Sequence, residues 1–279
     1  MVSFSGILGL GGGQPKLRPF KVTDMVPVLE IIEQHDEDDA EEAYENLQES
    51  HEGMFVLSKG GRIIGVTGAV SDEHVEGVCW LSWTYVHEEY QGQGFGRMMF
   101  DQLRGMLEES GVRRLFISTS DYMEDGVDLY AKAKAFYQAM GAQLELKIAD
   151  YHDRNEARFV YGIDVPVLDF ESAPETPAVE DGTGEIYFTD VEQLPESKGG
   201  FSLSWEEKLE DEEQTSLVPL ETLKKRAIQQ GARFIVAAPP SLFERSVEQD
   251  LKENGFKKVG KLKNYYEKSI DQVYWVCFL

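Results

Sequence analysis

Apolar positions along this chain change their spacing at regular places, and each change marks an element. Lys16 to Phe20 reads as an opening strand, with Thr23 or Asp24 next as a helix N-cap. Met25, Val28, Leu29 and Ile32 then share one face of a first helix. A second helix, crowded with acid, is predicted from about Ala40 to Gln48. Met54 to Ser58 and Arg62 to Val70 flank Gly60-Gly61 as the arms of a hairpin. Val78 to Val86 is rich in aromatic and β-branched residues, as a buried strand is. Helical spacing returns in Phe95, Met99, Leu103, Met106 and Leu107, and Gly111 supplies a C-terminal stop. A strand at Leu115 to Ser120, a helix from about Asp128 to Met140, and strands at Gln143 to Ala149 and Arg158 to Ile163 complete the series. The order is β-α-α-β-β-β-α-β-α-β-β.

Val167 to Gly184 lacks that periodicity and carries Pro174, Pro177, Gly182 and Gly184, so it reads as a linker. The tail after it echoes what came before. Leu203-Ser204-Trp205 matches Leu81-Ser82-Trp83, and Gly231 to Val236 matches Gly111 to Phe116. Glu253-Asn254-Gly255-Phe256 falls where Ala139-Met140-Gly141-Ala142 does, and Lys263 to Tyr266 where Ala149 to His152 does. The expectation is a shortened, degenerate second copy of one half-fold. Where the first copy has its glycine-rich turn, the second has Glu206 to Glu213 with six carboxylates. Like charges at that density cannot hold a phosphate.

That turn, Tyr90-Gln91-Gly92-Gln93-Gly94-Phe95-Gly96-Arg97, joins the aromatic strand to the helix. Glycines there can take positive φ and lie close to an anion, and the helix start offers unpaired N–H groups. A nucleotide P-loop needs Gly-Lys-Ser/Thr at its end, whereas Phe95-Gly96-Arg97-Met98 follows here. A dinucleotide fingerprint needs G-x-G-x-x-G, and Gly92-Gln93-Gly94-Phe95-Gly96 has another spacing.

The pattern Gln91-x-x-Gly94-x-Gly96 after a strand ending Tyr85-Val86-His87-Glu88-Glu89-Tyr90 resembles the GNAT family of acyl-CoA N-acyltransferases. Leu115 to Ser118 is similar to that family's fifth strand. Ala133, Phe136, Tyr137 and Gly141 are similar to its A-x-x-F-Y-x-x-x-G-F segment, with Ala142 replacing the last Phe. The resemblance covers roughly residues 15 to 165. It implies an α/β (α+β) fold with a mixed central sheet flanked by helices, joined here to a smaller C-terminal α/β unit. The implied domains are an N-terminal arm at 1–14, the catalytic domain at 15–165, a linker at 166–184, and the degenerate unit at 185–279.

The resemblance also implies acetyl-coenzyme A as cofactor and an amine as acceptor. Gln91, Gly92, Gln93, Gly94, Phe95, Gly96 and Arg97 would cradle the pyrophosphate. Tyr85 and Val86 would bond the pantetheine arm through backbone groups, at a place where the family's strand splays and frees an amide for the carbonyl. Tyr130 stands where the family often has an Asn that touches the cofactor. Tyr137 matches the Tyr that protonates the departing thiolate. The family often has a carboxylate on the central strand as base, but Ser82, Trp83 and Thr84 occupy that region. Asp72, Glu73, His74 and Glu76 lie near the strand's start and Glu88 and Glu89 near its end. Each reads as a surface residue, which leaves the base open, with ordered water as an equal alternative. His51, His87 and His152 are scattered and read as structural.

Charge narrows the partners. The formal net charge of −24 opposes nucleic acid. No Lys or Arg occurs between Lys21 and Lys59, while Asp36 to Asp39, Glu41 and Glu42 crowd together. Such a run serves as a solvated helix face or as a lip that draws in a cationic amine. No apolar run reaches the ~18 residues of a membrane span, and Met1 to Leu10 lacks the basic start of a signal peptide. Cys79 and Cys277 sit in apolar strand-like runs, as reduced thiols in a cytoplasmic protein do. No Cys/His spacing suggests a metal. The expectation is an acetyl-CoA-dependent N-acetyltransferase, monomeric or homodimeric, acting on a small cationic primary amine. A protein N-terminus or lysine is the alternative acceptor. A non-catalytic acyl-CoA-binding regulator and a module dimerising through Val273 to Leu279 are readings of another class.

Overall fold

The computed structural model describes residues 14–166, 182–209 and 218–279. The arm expected at 1–14 therefore lies, up to residue 13, outside the described residues, as does most of the expected linker. The chain forms two compact units. One takes residues up to Ile117 and rejoins at Asp164, and the other takes Ser118–Ile163 with the C-terminal residues. This division falls inside the span read from sequence as a single domain.

The first unit holds β1 (Lys16–Pro19), α1 (Met25–Glu33), α2 (Glu37–Glu49), β2 (Met54–Lys59), β3 (Arg62–Ser71), β4 (Val78–Val86), α3 (Phe95–Glu109) and the start of β5 (Arg114–Ser120). The strands lie side by side in sequence order. β1 to β4 pair antiparallel, and β5 joins β4 in parallel. Alternation along β2 decides the layers. Val56 packs with Val28, Ile31, Ile32, Ala43 and Leu47 of α1 and α2. Leu57, the next residue, packs with Met99 of α3.

Two helix starts differ from the spacing. α2 begins at Glu37, three residues before the expected Ala40, because the Asp36 carboxylate caps it. That carboxylate accepts the amides of Asp38 (3.0 Å) and Asp39 (3.2 Å). Glu37, Asp38 and Asp39 then fill the first turn, where the helix dipole favours negative charge. Asp24 stands at the N-cap of α1 but makes no side-chain cap bond. Its carboxylate instead accepts the Lys21 amide (2.9 Å) and two bonds from Arg18 (2.6 and 2.8 Å), and the Arg18 guanidinium holds it below the usual carboxylate range.

The second unit contains a small hairpin, β6 (Met123–Glu124) and β7 (Val127–Asp128), then α4 (Ala131–Ala139), β8 (Gln143–Asp153) and β9 (Glu156–Asp164). The helix expected from Asp128 starts only at Ala131. Asp125 and Gly126 take positive φ and turn the chain into the hairpin first. After them come β10 (Gly182–Gln193), β11 (Gly200–Leu209), α5 (Leu220–Gln229), β12 (Phe234–Ala237), α6 (Glu244–Glu253), β13 (Lys257–Glu267) and β14 (Ile270–Phe278). Gly182 to Gly184, read as linker, already belong to β10. Glu206 and Glu207, read as standing in the place of a phosphate loop, are paired inside β11 opposite Tyr187 and Ile186. Residues 210–213 of that acidic run lie outside the described residues.

Strands of this unit follow the order β9-β8-β13-β14-β12-β11-β10. β13 meets β8 at Gly260 and Leu146, where a Cβ on Gly260 would come within 2.7 Å of the Glu145 carbonyl. The turn between β10 and β11 grips the β8–β9 hairpin. Tyr151 donates to Glu196 (2.5 Å), Arg158 donates to the Tyr151 hydroxyl (2.6 Å), and the Lys198 amide donates to the His152 carbonyl (2.9 Å). Burial pushes the Tyr151 phenol well above its ordinary range. These bonds account for the last hairpin of the first half grouping with the tail.

Two stretches share the same local geometry. The Gly77 carbonyl accepts the Arg113 amide at 2.8 Å, and the Gly199 carbonyl accepts the Arg233 amide at 2.7 Å. Both glycines have positive φ, and a Cβ on either would press on that arginine's Cγ, at 3.3 and 3.2 Å. β4 then pairs with β5 as Val78↔Arg114 to Trp80↔Phe116, and β11 with β12 as Gly200↔Phe234 to Ser202↔Val236. In that register Leu81-Ser82-Trp83 and Leu203-Ser204-Trp205 occupy equivalent places. Gly141 and Gly255 follow α4 and α6 at positive φ, with Ala142 N to Tyr137 O at 3.0 Å and Phe256 N to Leu251 O at 2.9 Å. Asp150 and Asn264 share φ 51°, and their side chains accept the amides of Asn155 and Ser269.

Gly65 sets the seat of α3. A Cβ there would meet Met99 Sδ at 2.8 Å and the Tyr85 carbonyl at 3.1 Å. Gly65→Val should lower stability in urea unfolding by about 1–3 kcal/mol, the cost of overpacking a filled core. An unchanged midpoint would show that α3 is not held at this height.

Candidate active site

The site is built from the end of β4 and the turn after it. On β3, Val66 faces Tyr85 and Gly68 faces Ser82, so Trp83 and Thr84 together oppose Thr67. One extra residue on β4 makes a bulge, which bends a strand and re-aims its side chains. Thr84 fits the irregularity by bonding the Ser82 carbonyl (2.7 Å) and the Thr67 hydroxyl (3.0 Å).

Past Val86 the chain makes a short 3₁₀ turn, Glu88–Tyr90, capped by the His87 ring. Gly92 (φ +69°) and Gly94 (φ +85°) then carry it into α3. Gly94 is the N-cap and has no side chain with which to cap, so the first-turn amides of α3 face outward. A Cβ on Gly92 or Gly94 would meet nothing within 4 Å. The space directly in front of these two glycines is therefore open. Positive-φ glycines, outward amides and the positive end of a helix dipole together fit a diphosphate.

Gln91 is turned back onto the strand. Its Nε2 donates to the Val86 carbonyl (3.2 Å) and lies 3.2 Å from His35 Nε2. His35 Nε2 is itself 3.1 Å from the Val86 carbonyl, and its ring stacks on Tyr85 at 5.2 Å. The Tyr85 hydroxyl donates to the Asp39 carboxylate. Gln34 Oε1 accepts the Glu88 amide (3.1 Å). The junction of α1 and α2 is thus stitched to the end of β4. Of the predicted residues, the structure brings together Tyr85, Val86 and Gln91, with Gly92 to Arg97 following directly. His35 was missed, and nothing local marks it, since its partners lie some fifty positions away in sequence.

Tyr137 belongs to α4 and Tyr130 precedes it, both in the other unit. Tyr130 is the N-cap residue, and its amide donates to Asp128 (3.0 Å). Tyr137 packs edge-on against Phe136 at 5.6 Å. Part of its surface is exposed, yet desolvation of the phenol raises its pKa to about 12. The sign is that of a group kept neutral, so its proton is present throughout the physiological range.

Acids near β4 have structural duties. Asp72 accepts the amides of His74 (3.0 Å) and Val75 (3.1 Å) and the Trp80 indole N–H (3.2 Å). Glu89 pairs with Arg62 at 3.1 Å. Among the described residues no cluster of His, Cys, Asp and Glu fits a metal, and no helix is long and apolar enough to cross a membrane.

A bulged strand thus turns through open glycines into a helix. Residues 22–141 match the sequence model of the Acetyltransferase (GNAT) family. The family's donor is acetyl-coenzyme A. No curated protein sequence matches the chain. Among solved structures, the ribosomal-protein-S18-alanine N-acetyltransferase of Escherichia coli is 19% identical, with TM-score 0.45 over 58% of this chain and 100% of its own. Ard1 from Thermoplasma volcanium is 15% identical, with TM-score 0.46 over 56% and 99%. An aminoglycoside 6'-N-acetyltransferase complexed with coenzyme A is 12% identical, with TM-score 0.45 over 55% and 99%. The acceptors in those names are those proteins' own.

An ultraviolet tyrosinate titration should find Tyr137→Phe superimposed on the wild type through the ordinary phenol range near ~10. The two should part only towards pH 12. A transition lost near ~10 would show the Tyr137 phenol to be solvated.

Proposed function

We propose that the chain is an N-acetyltransferase whose acceptor is a small cationic primary amine. The carrying observation is the bond from Tyr85 to Asp39. It ties the acidic first turn of α2 to the end of β4, beside the turn that would hold the donor. Glu37, Asp38 and Asp39 share that turn without a basic residue in it. A carboxylate-rich lip raises the local concentration of a cation and orients it.

In this reading Gly92 to Arg97 hold the diphosphate, and Tyr85 and Val86 align the pantetheine arm along the strand edge. The family resemblance gives Tyr137, neutral at working pH, the role of protonating the departing thiolate, and Tyr130 that of a further cofactor contact. The proton lost by the acceptor passes to solvent or to the His35–Asp39 group, since β4 has no carboxylate between Ser82 and Val86. The catalytic domain is assigned to residues 15–165 and the tail from 185 to a degenerate second copy. Supporting the copy are the paired Gly77 and Gly199 turns, the matching strand registers, and the α4 and α6 ends. Leu251 stands where Tyr137 does, so the copy has no thiol-protonating group.

Thiol release from acetyl-CoA across a panel of amines tests this. Primary diamines should be better acceptors than monoamines of equal length. Asp39→Asn should raise KM for a diamine roughly 10–100-fold, the worth of a charged hydrogen bond, and leave KM for acetyl-CoA unchanged. Tyr137→Phe should lower kcat by about 10²-fold or more. Saturable acetyl-CoA binding without release for any amine would instead support a non-catalytic binder.

A further inference from the structure

We propose that Lys59 and Arg62, at the two ends of the β2–β3 turn, form a cationic rim for the diphosphate of acetyl-coenzyme A. The inference rests on the reading of Gly92 to Arg97 as the donor site and extends that site to a second segment of the chain. Tyr90 and Phe95 stand on either side of the glycine turn, with ring centroids 6.2 Å apart. Lys59 Nζ lies 5.0 Å from the Phe95 ring and 5.7 Å from the Tyr90 ring. Arg62 Cζ lies 5.6 Å from the Tyr90 ring. Both cations are thus fixed against the rings that bracket the cradle.

The charges of the site make such a rim necessary. The chain carries −24 overall, and Glu88 and Glu89 sit at the entrance of the turn. A diphosphate approaching that surface is repelled unless local cations reverse the field. Arg97 in the first turn of α3 is one such cation. Arg62 has its charge partly met by Glu89 at 3.1 Å and also lies 2.8 Å from His87 Nε2. Lys59 is held by ring faces, which leave its charge available to an anion. Gly60 and Gly61, both at positive φ, make the tight turn that brings the two cations to one end of the sheet.

The test is calorimetric binding to the full chain of acetyl-CoA, its analogue lacking the 3′-phosphate, and acetylpantetheine, which lacks all phosphates. The variants are Lys59→Met, which keeps the alkyl stem on the rings, Arg62→Gln, and the pair. The double variant should weaken acetyl-CoA by roughly tenfold or more and flatten the salt dependence of binding. The loss should be the same for the analogue without the 3′-phosphate and absent for acetylpantetheine. Unchanged affinity, or a loss confined to acetyl-CoA itself, would overturn the assignment to the diphosphate. An equal loss for acetylpantetheine would show that the cations only hold the rings in place. A wild-type chain that binds neither acetyl-CoA nor its analogue would overturn the donor-site reading instead.

Discussion

Met99 rests on the bare Cα of Gly65, and that contact sets the height at which α3 crosses β3. The Tyr85 carbonyl lies at the same spot, so helix seat and strand end are fixed against one residue. The N-terminus of α3 can then stand only where the chain leaving Val86 reaches it through a short turn. Gly92 and Gly94 at positive φ follow from that demand as much as from any ligand. An open turn with outward amides is therefore a product of core packing. The anion-binding chemistry comes with it.

The opposite face of the sheet carries α1 and α2. α1 and α2 bury Val28, Ile31, Ile32, Ala43 and Leu47 against β2 and β3, which leaves their junction over the end of β4. Asp36 is spent on capping α2, and Asp39 on Tyr85. The acidic run thus has two roles along its length. One is local helix capping, and the other ties α2 to the end of β4.

Much of this was legible in the sequence because it was local. β4 has the bounds its composition implied, and Gly111 ends α3 as expected. The glycine turn could be read because anion cradles have a fixed backbone pattern. The helix starts at Glu37 and Ala131 were misjudged because caps and tight hairpins outweigh apolar spacing at an element's edge. His35, Lys59 and Arg62 could not be found that way. Their roles come from strands and helices far apart in sequence meeting at one sheet end, and no spacing rule encodes such a meeting. The bulge at Trp83 and Thr84 was hidden for the same reason, since it exists only relative to β3.

The twin turns at Gly77 and Gly199 have a consequence for how this chain can change. The same glycine, the same arginine and the same bond occur in two settings, one leading to a glycine cradle and one to an acidic strand end. An equal substitution at both places meets the same arginine stem, with the Gly231 carbonyl added at Gly199 (3.2 Å). Beyond that added contact, a difference in its effect measures what the surrounding half of the molecule asks of that turn, so the chain carries its own internal reference for separating the demands of a ligand from those of the fold.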